Sequence, residues 1–324
     1  MSPLRCLRTL CLVLLFILYS APVAAQLVTG TITGTVVDAT RSNIPGASVI
    51  LENQQTGEAR NTVSNDTGNF VFTAVPPGTY RVAVEIPGFK RYEQSGIVLS
   101  ANERLPLGSI VLEVGELSDS VTVSAEGAAV QSESSELSAQ LTSTQMESMA
   151  IRGRDVVAFL RILPGVAYGA DVESPGGNFG TASTSINGTR PTGNVFFLDG
   201  VPGMDMSASA TFSSTISFDA ISEVKVLSNS YRAEHGSNGG AVVDVVTKGG
   251  TRDFHGSAYW YKRHENLNAN DFFRNQQGVQ KPLYRYSTLG GSIGGPILLP
   301  GGLNANRDKL FFFYSIENWL SRVP

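Results

Sequence analysis

Residues 195–202 read Val-Phe-Phe-Leu-Asp-Gly-Val-Pro, and residues 221–227 read Ile-Ser-Glu-Val-Lys-Val-Leu. A third stretch, 239–250, runs Gly-Gly-Ala-Val-Val-Asp-Val-Val-Thr-Lys-Gly-Gly. Short strands between turns are the reading that decides the class of this chain. Leu198-Asp199-Gly200 is a strand running into a turn, where an Asp side chain is able to bond its own backbone two residues on. Side chains alternate across a strand, so Glu223 and Lys225 share one face while Val224 and Val226 take the other. Gly239-Gly240 permits a bend or a close backbone approach. A phosphate cradle is a poor reading, because Gly-x-x-x-x-Gly-Lys-Ser/Thr is absent and Thr247-Lys248-Gly249-Gly250 has the wrong order.

Toward the N-terminus, Ser185-Ile186-Asn187-Gly188-Thr189-Arg190-Pro191 is a further block of the same region. Asp155 to Leu163 carries apolar residues at helical spacing until Pro164-Gly165 stops it. Thr142, with Gln145 three residues on, is a capping pattern for a short helix through Met149. Before it, Gly115 to Gln140 is dominated by Ser and Glu, has no aromatic residue and reads as a linker. Residues 27–113 hold short strand candidates at Thr31–Val37, Ala47–Leu51, Asn69–Thr73 and Thr79–Val84. Ile44-Pro45-Gly46, Asn65-Asp66-Thr67-Gly68, Pro76-Pro77-Gly78 and Pro87-Gly88 supply the turns. Strands at this spacing suggest a sandwich. The chain opens with Arg5 and Arg8, an apolar run Leu10–Tyr19 and the small residues Ala21-Pro22-Val23-Ala24-Ala25, the pattern of a signal peptide cut before Gln26. Both cysteines, Cys6 and Cys11, fall inside it.

Toward the C-terminus, Phe254–His264 gathers Tyr259, Trp260 and Tyr261, and Tyr284–Ile293 follows. In Leu310–Asn318 one face carries Leu310, Phe312, Tyr314 and Ile316, and the other Phe311, Phe313, Ser315 and Glu317. Segments of about ten residues with alternating hydrophobicity and aromatic girdles mark outer-membrane β-barrels.

The order of these pieces carries resemblances. Gly34-Thr35-Val36-Val37-Asp38, Ile44-Pro45-Gly46-Ala47, Thr67-Gly68-Asn69-Phe70 and Pro77-Gly78-Thr79-Tyr80 resemble the carboxypeptidase regulatory-like domain. That implies a seven-stranded, transthyretin-like sandwich with Phe70 and Tyr80 in its core. Asp119-Ser120-Val121-Thr122-Val123-Ser124-Ala125 looks like the TonB box of outer-membrane receptors, a segment that adds as a strand to a partner's sheet; the last strand of the sandwich or a plain linker is the alternative. The blocks from 185 to 250 resemble the plug of TonB-dependent receptors, and more narrowly of the Oar-like group, with Asn187, Gly188, Arg190, Asp199, Gly200, Glu223 and Lys225 as its motif residues. In such a lumen Arg152, Arg154, Arg190 and Arg232 are placed to pair with carboxylates.

The expected fold is therefore mainly β: a signal peptide (1–25), a carboxypeptidase regulatory-like sandwich (27–113), a linker with a TonB box (114–140), an α+β plug (141–250) and the first strands of an incomplete outer-membrane barrel (251–324). The stretch after Gly250 supplies about three or four strands, whereas barrels need at least 8 and outer-membrane transporters of this type have about 22. An open sheet edge cannot face lipid, so the sequence reads as the N-terminal part of a larger receptor. The resemblance implies TonB, with its inner-membrane energising complex, outer-membrane lipid and an extracellular ligand (oligosaccharide, peptide or siderophore) as partners. Its implied work is energised passage of a large ligand, with the sandwich in the periplasm. The net charge of −4 becomes −6 once the two signal-peptide arginines are removed. No basic patch suits nucleic acid. No catalytic residue, metal or cofactor is expected: His-x-x-Glu and Gly-x-Ser-x-Gly are absent. A secreted or periplasmic carbohydrate-binding or adhesion protein built on the sandwich is the competing reading, opposed by the aromatic strands after residue 254.

Overall fold

Alternating apolar residues between Asp-, Asn- and Gly-bearing turns build the N-terminal part as two facing sheets. The computed structural model describes residues 28–116, 135–149, 159–168, 184–203, 216–232, 235, 239–299, 301–302 and 304–322, together with the backbone of 120–124. The expected signal peptide, Arg152, Arg154, Asp119, Ala125 and the first half of the helix expected at 155–163 lie outside the described residues.

Strands β1 (Gly30–Asp38), β4 (Asn69–Val75) and β7 (Arg104–Leu112) form one sheet, in the order β4-β1-β7. The other holds β2 (Ser48–Asn53), β3 (Ala59–Val63), β5 (Gly78–Glu85), β6 (Arg91–Leu99) and β8 (Ser120–Ser124), in the order β3-β2-β5-β6-β8. Seven strands to residue 112 match the sandwich implied by the resemblance; β8 is an eighth. Ile32, Val36, Val49, Leu51, Phe70, Tyr80, Val82, Ile97 and Leu112 fill the space between the sheets, as their alternation with exposed neighbours requires. Asp38 and Asn65 set two turns by accepting backbone N–H bonds: Asp38 Oδ1 from Thr40 and Ser42, each 2.8 Å, and Asn65 Oδ1 from Thr67 at 3.0 Å and Asn69 at 2.8 Å. Tyr80 keeps its ring in the core and donates its hydroxyl to the Pro76 carbonyl at 2.7 Å, which satisfies the polar end of a buried aromatic.

The middle part is a five-stranded sheet, in the order β13-β12-β15-β14-β9. It comprises β9 (Leu137–Thr142), β12 (Val195–Leu198), β13 (Val201–Pro202), β14 (Ile221–Asn229) and β15 (Val242–Thr247). Strands β12 and β15 run parallel; the other pairs are antiparallel. A hairpin of β10 (Val166–Tyr168) with β11 (Thr184–Ile186) flanks it. The capping pattern is present: Thr142 and Gln145 close a reciprocal box over α1, Ser143–Ser148. Of the expected helix ending at Leu163, the described part is helical at Phe159 and closes in a 3-10 turn over Leu160–Ile162. The segment read as a linker holds two strands, β8 and the start of β9. Leu137–Gln140 has little apolar alternation of its own and is held by its ladder to β14.

The C-terminal part is an antiparallel meander of β16 (His255–His264), β17 (Arg285–Pro296) and β18 (Phe311–Arg322). One side presents Trp260, Leu289, Ile293, Tyr314, Ile316 and Leu320, all exposed. The side bearing Tyr259 and Glu317 turns toward Ser217 of the middle part. The alternation read in Leu310–Asn318 is thus realised, with Tyr314 and Ile316 outward and Glu317 inward.

Candidate functional site

The motif residues of the middle sheet gather around β14 and β15, and the sequence reading misses what they face. Glu223 and Lys225 do share one side of β14, as alternation demands. That side is buried rather than solvated. Glu223 is 7% exposed, Lys225 4% and Asp244, the cross-strand partner of Lys225, 2%. Above them sits the loop joining β6 to β7 of the sandwich. The Ala101 N–H donates to Glu223 Oε1 at 2.7 Å, and Lys225 Nζ donates to the Ala101 carbonyl at 2.7 Å. Both polar groups of one peptide residue are therefore gripped by the two charges. Asn102 Nδ2 donates to Asp244 Oδ2 at 3.0 Å, and Gln140 Nε2 donates to Glu223 Oε2 at 2.6 Å. Beside this polar grip, Val28, Ala101 and Val246 form a small apolar cluster. The sandwich makes a further bond at its β2–β3 turn, where the Gln55 carbonyl accepts from the Arg252 N–H at 3.0 Å.

Burial pushes the Glu223 carboxyl above the usual carboxylate range, against the opposing pull of the Ala101 amide, the Gln140 amide and the Lys225 charge. Desolvation outweighs hydrogen bonding here because the charged form has lost most of its water. Ala101, Asn102, Gln140 and Asp244 are the partners that sequence reading missed. Ala101 and Asn102 follow β6 without any motif. Asp244 sits inside a run of valines that reads as plain buried strand.

Asp199 takes a left-handed conformation, φ +48, with Gly200 at +80 beside it, as the turn between β12 and β13 needs. Its carboxylate does not serve its own turn. Oδ1 accepts from the Thr247 N–H at 2.9 Å, and Oδ2 from the Thr247 hydroxyl at 2.8 Å. Thr247 ends β15, one strand over, so Asp199 latches two neighbouring strands together. Asn187, φ +51, and Gly188 turn the chain after β11, and Asn187 Nδ2 donates to the Ser228 carbonyl at 3.2 Å. Arg190 is exposed and starts a 3-10 turn over Pro191–Gly193; the expected carboxylate pairing is seen instead at Arg232, 3.5 Å from Glu136. Asn194, fully buried, is a further residue without a sequence signal. It donates to the Thr184 carbonyl at 2.7 Å and accepts from the Ala241 N–H at 3.0 Å. Gly240 lies against the Gly193 carbonyl, where a Cβ has no room, so the close approach read at Gly239-Gly240 belongs to Gly240.

A third cluster joins the middle part to the meander. Ser217 Oγ lies 3.0 Å from the Tyr259 hydroxyl and 3.3 Å from Glu317 Oε2, and Tyr259 donates to the same carboxylate. Gly290, opposite Tyr259 across the β16–β17 ladder, leaves room for its ring. Strand Ser120–Ser124, the five described residues of the expected TonB box, pairs in parallel with Arg91–Ser95 of β6. These arrangements are joints between parts, suited to coupling movement in one part to another.

Family models match three successive stretches: a carboxypeptidase regulatory-like domain at 31–113, a TonB-dependent receptor plug domain at 129–243 and an outer membrane beta barrel domain at 246–323. The chain is similar to the TonB-dependent transporter Oar of Myxococcus xanthus, 28% identical over 313 residues. That match covers 92% of this chain and 27% of Oar, so the chain spans about a quarter of the length of that relative. Among solved structures it is similar to the outer membrane transporter YddB of Escherichia coli (TM-score 0.43, 16% identity, 57% of this chain and 26% of that one). It is also similar to the siderophore receptor PirA of Acinetobacter baumannii (TM-score 0.37, 21% identity, 50% and 22%).

Proposed function

We propose, for a chain that carries the regulatory-like, plug and barrel-opening domains of the Oar-like TonB-dependent receptors in their order, that it is the N-terminal part of an outer-membrane receptor that moves a large ligand with energy drawn from TonB. The observation that carries this is the two-sided meander packed against the middle sheet. Its outward side is apolar, with Trp260, Leu289, Ile293, Tyr314, Ile316 and Leu320 exposed. Its inward side meets the plug through Tyr259, Glu317 and Ser217. A soluble protein rarely exposes so continuous an apolar surface, and a wall between lipid and a polar lumen requires it.

In this reading the sandwich sits at the periplasmic mouth, after export behind a signal peptide, and the ligand arrives from outside. The segment Asp119–Ala125 is the handle on which TonB pulls, by strand addition. The joints at Glu223–Lys225 and at Asp199–Thr247 then decide which parts of the plug move. The work is transport, with no bond made or broken. The test is deletion of residues 119–125 in the whole receptor. Insertion into the outer membrane is expected to persist, while capture by immobilised TonB C-terminal domain is lost. Unchanged capture by the deleted form would refute the assignment.

A further inference from the structure

The register between β5 and β6 shifts at Arg81: Tyr80 pairs with Ile97, but Val82 pairs with Gln94. The bulge falls at Ser95-Gly96, with Gly96 at φ +76. A bulge bends and twists a strand and locally disrupts its ladder, so the outer edge of β6 is straight from Arg91 to Ser95 and turns beyond it. That length is occupied. Ser120–Ser124 lies along it in parallel, Arg91 opposite Ser120 and Ser95 opposite Ser124.

The chain is led to this edge. Leaving β7, it passes Phe89–Lys90: the Lys90 N–H donates to the Glu113 carbonyl at 2.8 Å, and Gly115 donates to the Gly88 carbonyl at 3.2 Å. Val114 bridges Phe89, and Lys90 Nζ meets Glu113 at 3.0 Å. The family match of the sandwich ends at residue 113, and β1 to β7 already enclose a core running from Ile32 to Leu112. Strand β8 is thus an addition to a finished domain. A five-residue parallel ladder at a sheet edge is also its most easily parted strand, since parallel pairing is slightly weaker per residue.

We propose that the outer edge of β6 is a docking site for the coupling segment of this same chain, holding Ser120–Ser124 as a parked strand that TonB takes only by displacing it. This rests on the reading of Asp119–Ala125 as the TonB handle. A strand hydrogen-bonded into the sandwich cannot be drawn away until that ladder parts. The sandwich therefore acts as a guard on the handle: TonB gains it when the ladder opens, and the sandwich takes it back when TonB lets go.

The test uses the whole receptor in outer-membrane vesicles. Residues 12–324 contain no cysteine, and any cysteine elsewhere in the mature receptor is changed to Ser to clear the background. Ser95→Cys with Ser124→Cys places two near-isosteric thiols on facing positions; neighbouring strands lie about 4.8 Å apart, within the Cα separation a disulfide spans. Ser95→Cys with Ser120→Cys is the out-of-register control. The facing pair is expected to close under mild oxidation and the control to stay reduced. Oxidised receptor should be captured by immobilised TonB C-terminal domain about tenfold less than the same protein after reduction, the loss that about 1.4 kcal/mol of binding energy represents. Absence of the in-register disulfide, equal closure of the control, or equal capture of oxidised and reduced receptor would each overturn the parked strand. Failure of reduced and wild-type receptor alike to be captured would instead overturn the handle on which the proposal rests.

Discussion

Replacing Lys225 by Met should unseat the sandwich from the plug while leaving both domains folded. Lys225 is 4% exposed, and its Nζ holds the Ala101 carbonyl at 2.7 Å. Asp244 lies across the strand from it, and Glu223 two residues along the same face. Methionine keeps most of the volume but none of the charge. In the docked state the Ala101 carbonyl loses its donor, a cost of about 1–3 kcal/mol for a buried orphan. Docking should therefore weaken by about 1–3 kcal/mol. Undocked, β14 meets water and the substitution costs little, so the loss falls on the contact and not on the plug. Hydrogen exchange reads this directly. The amides of residues 100–103 should exchange about tenfold to a hundredfold faster, each tenfold corresponding to about 1.4 kcal/mol. Amides of β1 and β5 should keep their protection. Unchanged exchange at Ala101, or a loss of protection spread evenly over the plug, would refute the reasoning.

Acid should tighten the same contact: the docked Glu223 carboxyl has a raised pKa, so the docked state binds the proton more tightly and docking strengthens as pH falls from above the docked value toward the ordinary one. Glu223→Gln should flatten that dependence, measured as exchange at residues 100–103 between pH 8 and pH 5. Asp199→Ala removes both acceptors for Thr247 and leaves a Cβ residue at φ +48. The plug should lose about 2–3 kcal/mol in denaturant unfolding, and Asp199→Gly should lose less because it relieves the backbone. Gly290→Ala drives a methyl into the Tyr259 ring; folded receptor recovered in outer membranes should fall, and Gly291→Ala should lower it as well, because its methyl meets the Ser257 backbone carbonyl.

The architecture was legible because its signals are local. Turn residues such as Asn65 and Asp199, the Thr142–Gln145 box and the alternation in Leu310–Asn318 each depend on a few neighbours in sequence, and each is found where it was read. Strands β6 and β7 carry no such signal, since Arg91–Ser95 and Arg104–Leu107 mix polar and apolar residues without clean alternation and owe their form to partners. Strand β9 was hidden in a Ser-rich stretch for the same reason. At the candidate site, the shared face of Glu223 and Lys225 followed from the period of two, but its burial did not. That depends on Ala101 and Asn102, more than 120 residues away, and no spacing in β14 announces them. Asp199 shows the opposite case: the turn was readable, but its carboxylate serves Thr247, 48 residues on.

Fractionation of the native envelope, probed with antibody against the sandwich, tests the central claim most directly. The signal should sediment with the outer membrane, resist alkaline carbonate, and run faster on a gel before boiling than after, as a closed barrel does. Recovery of the sandwich in the soluble periplasmic fraction would contradict the account.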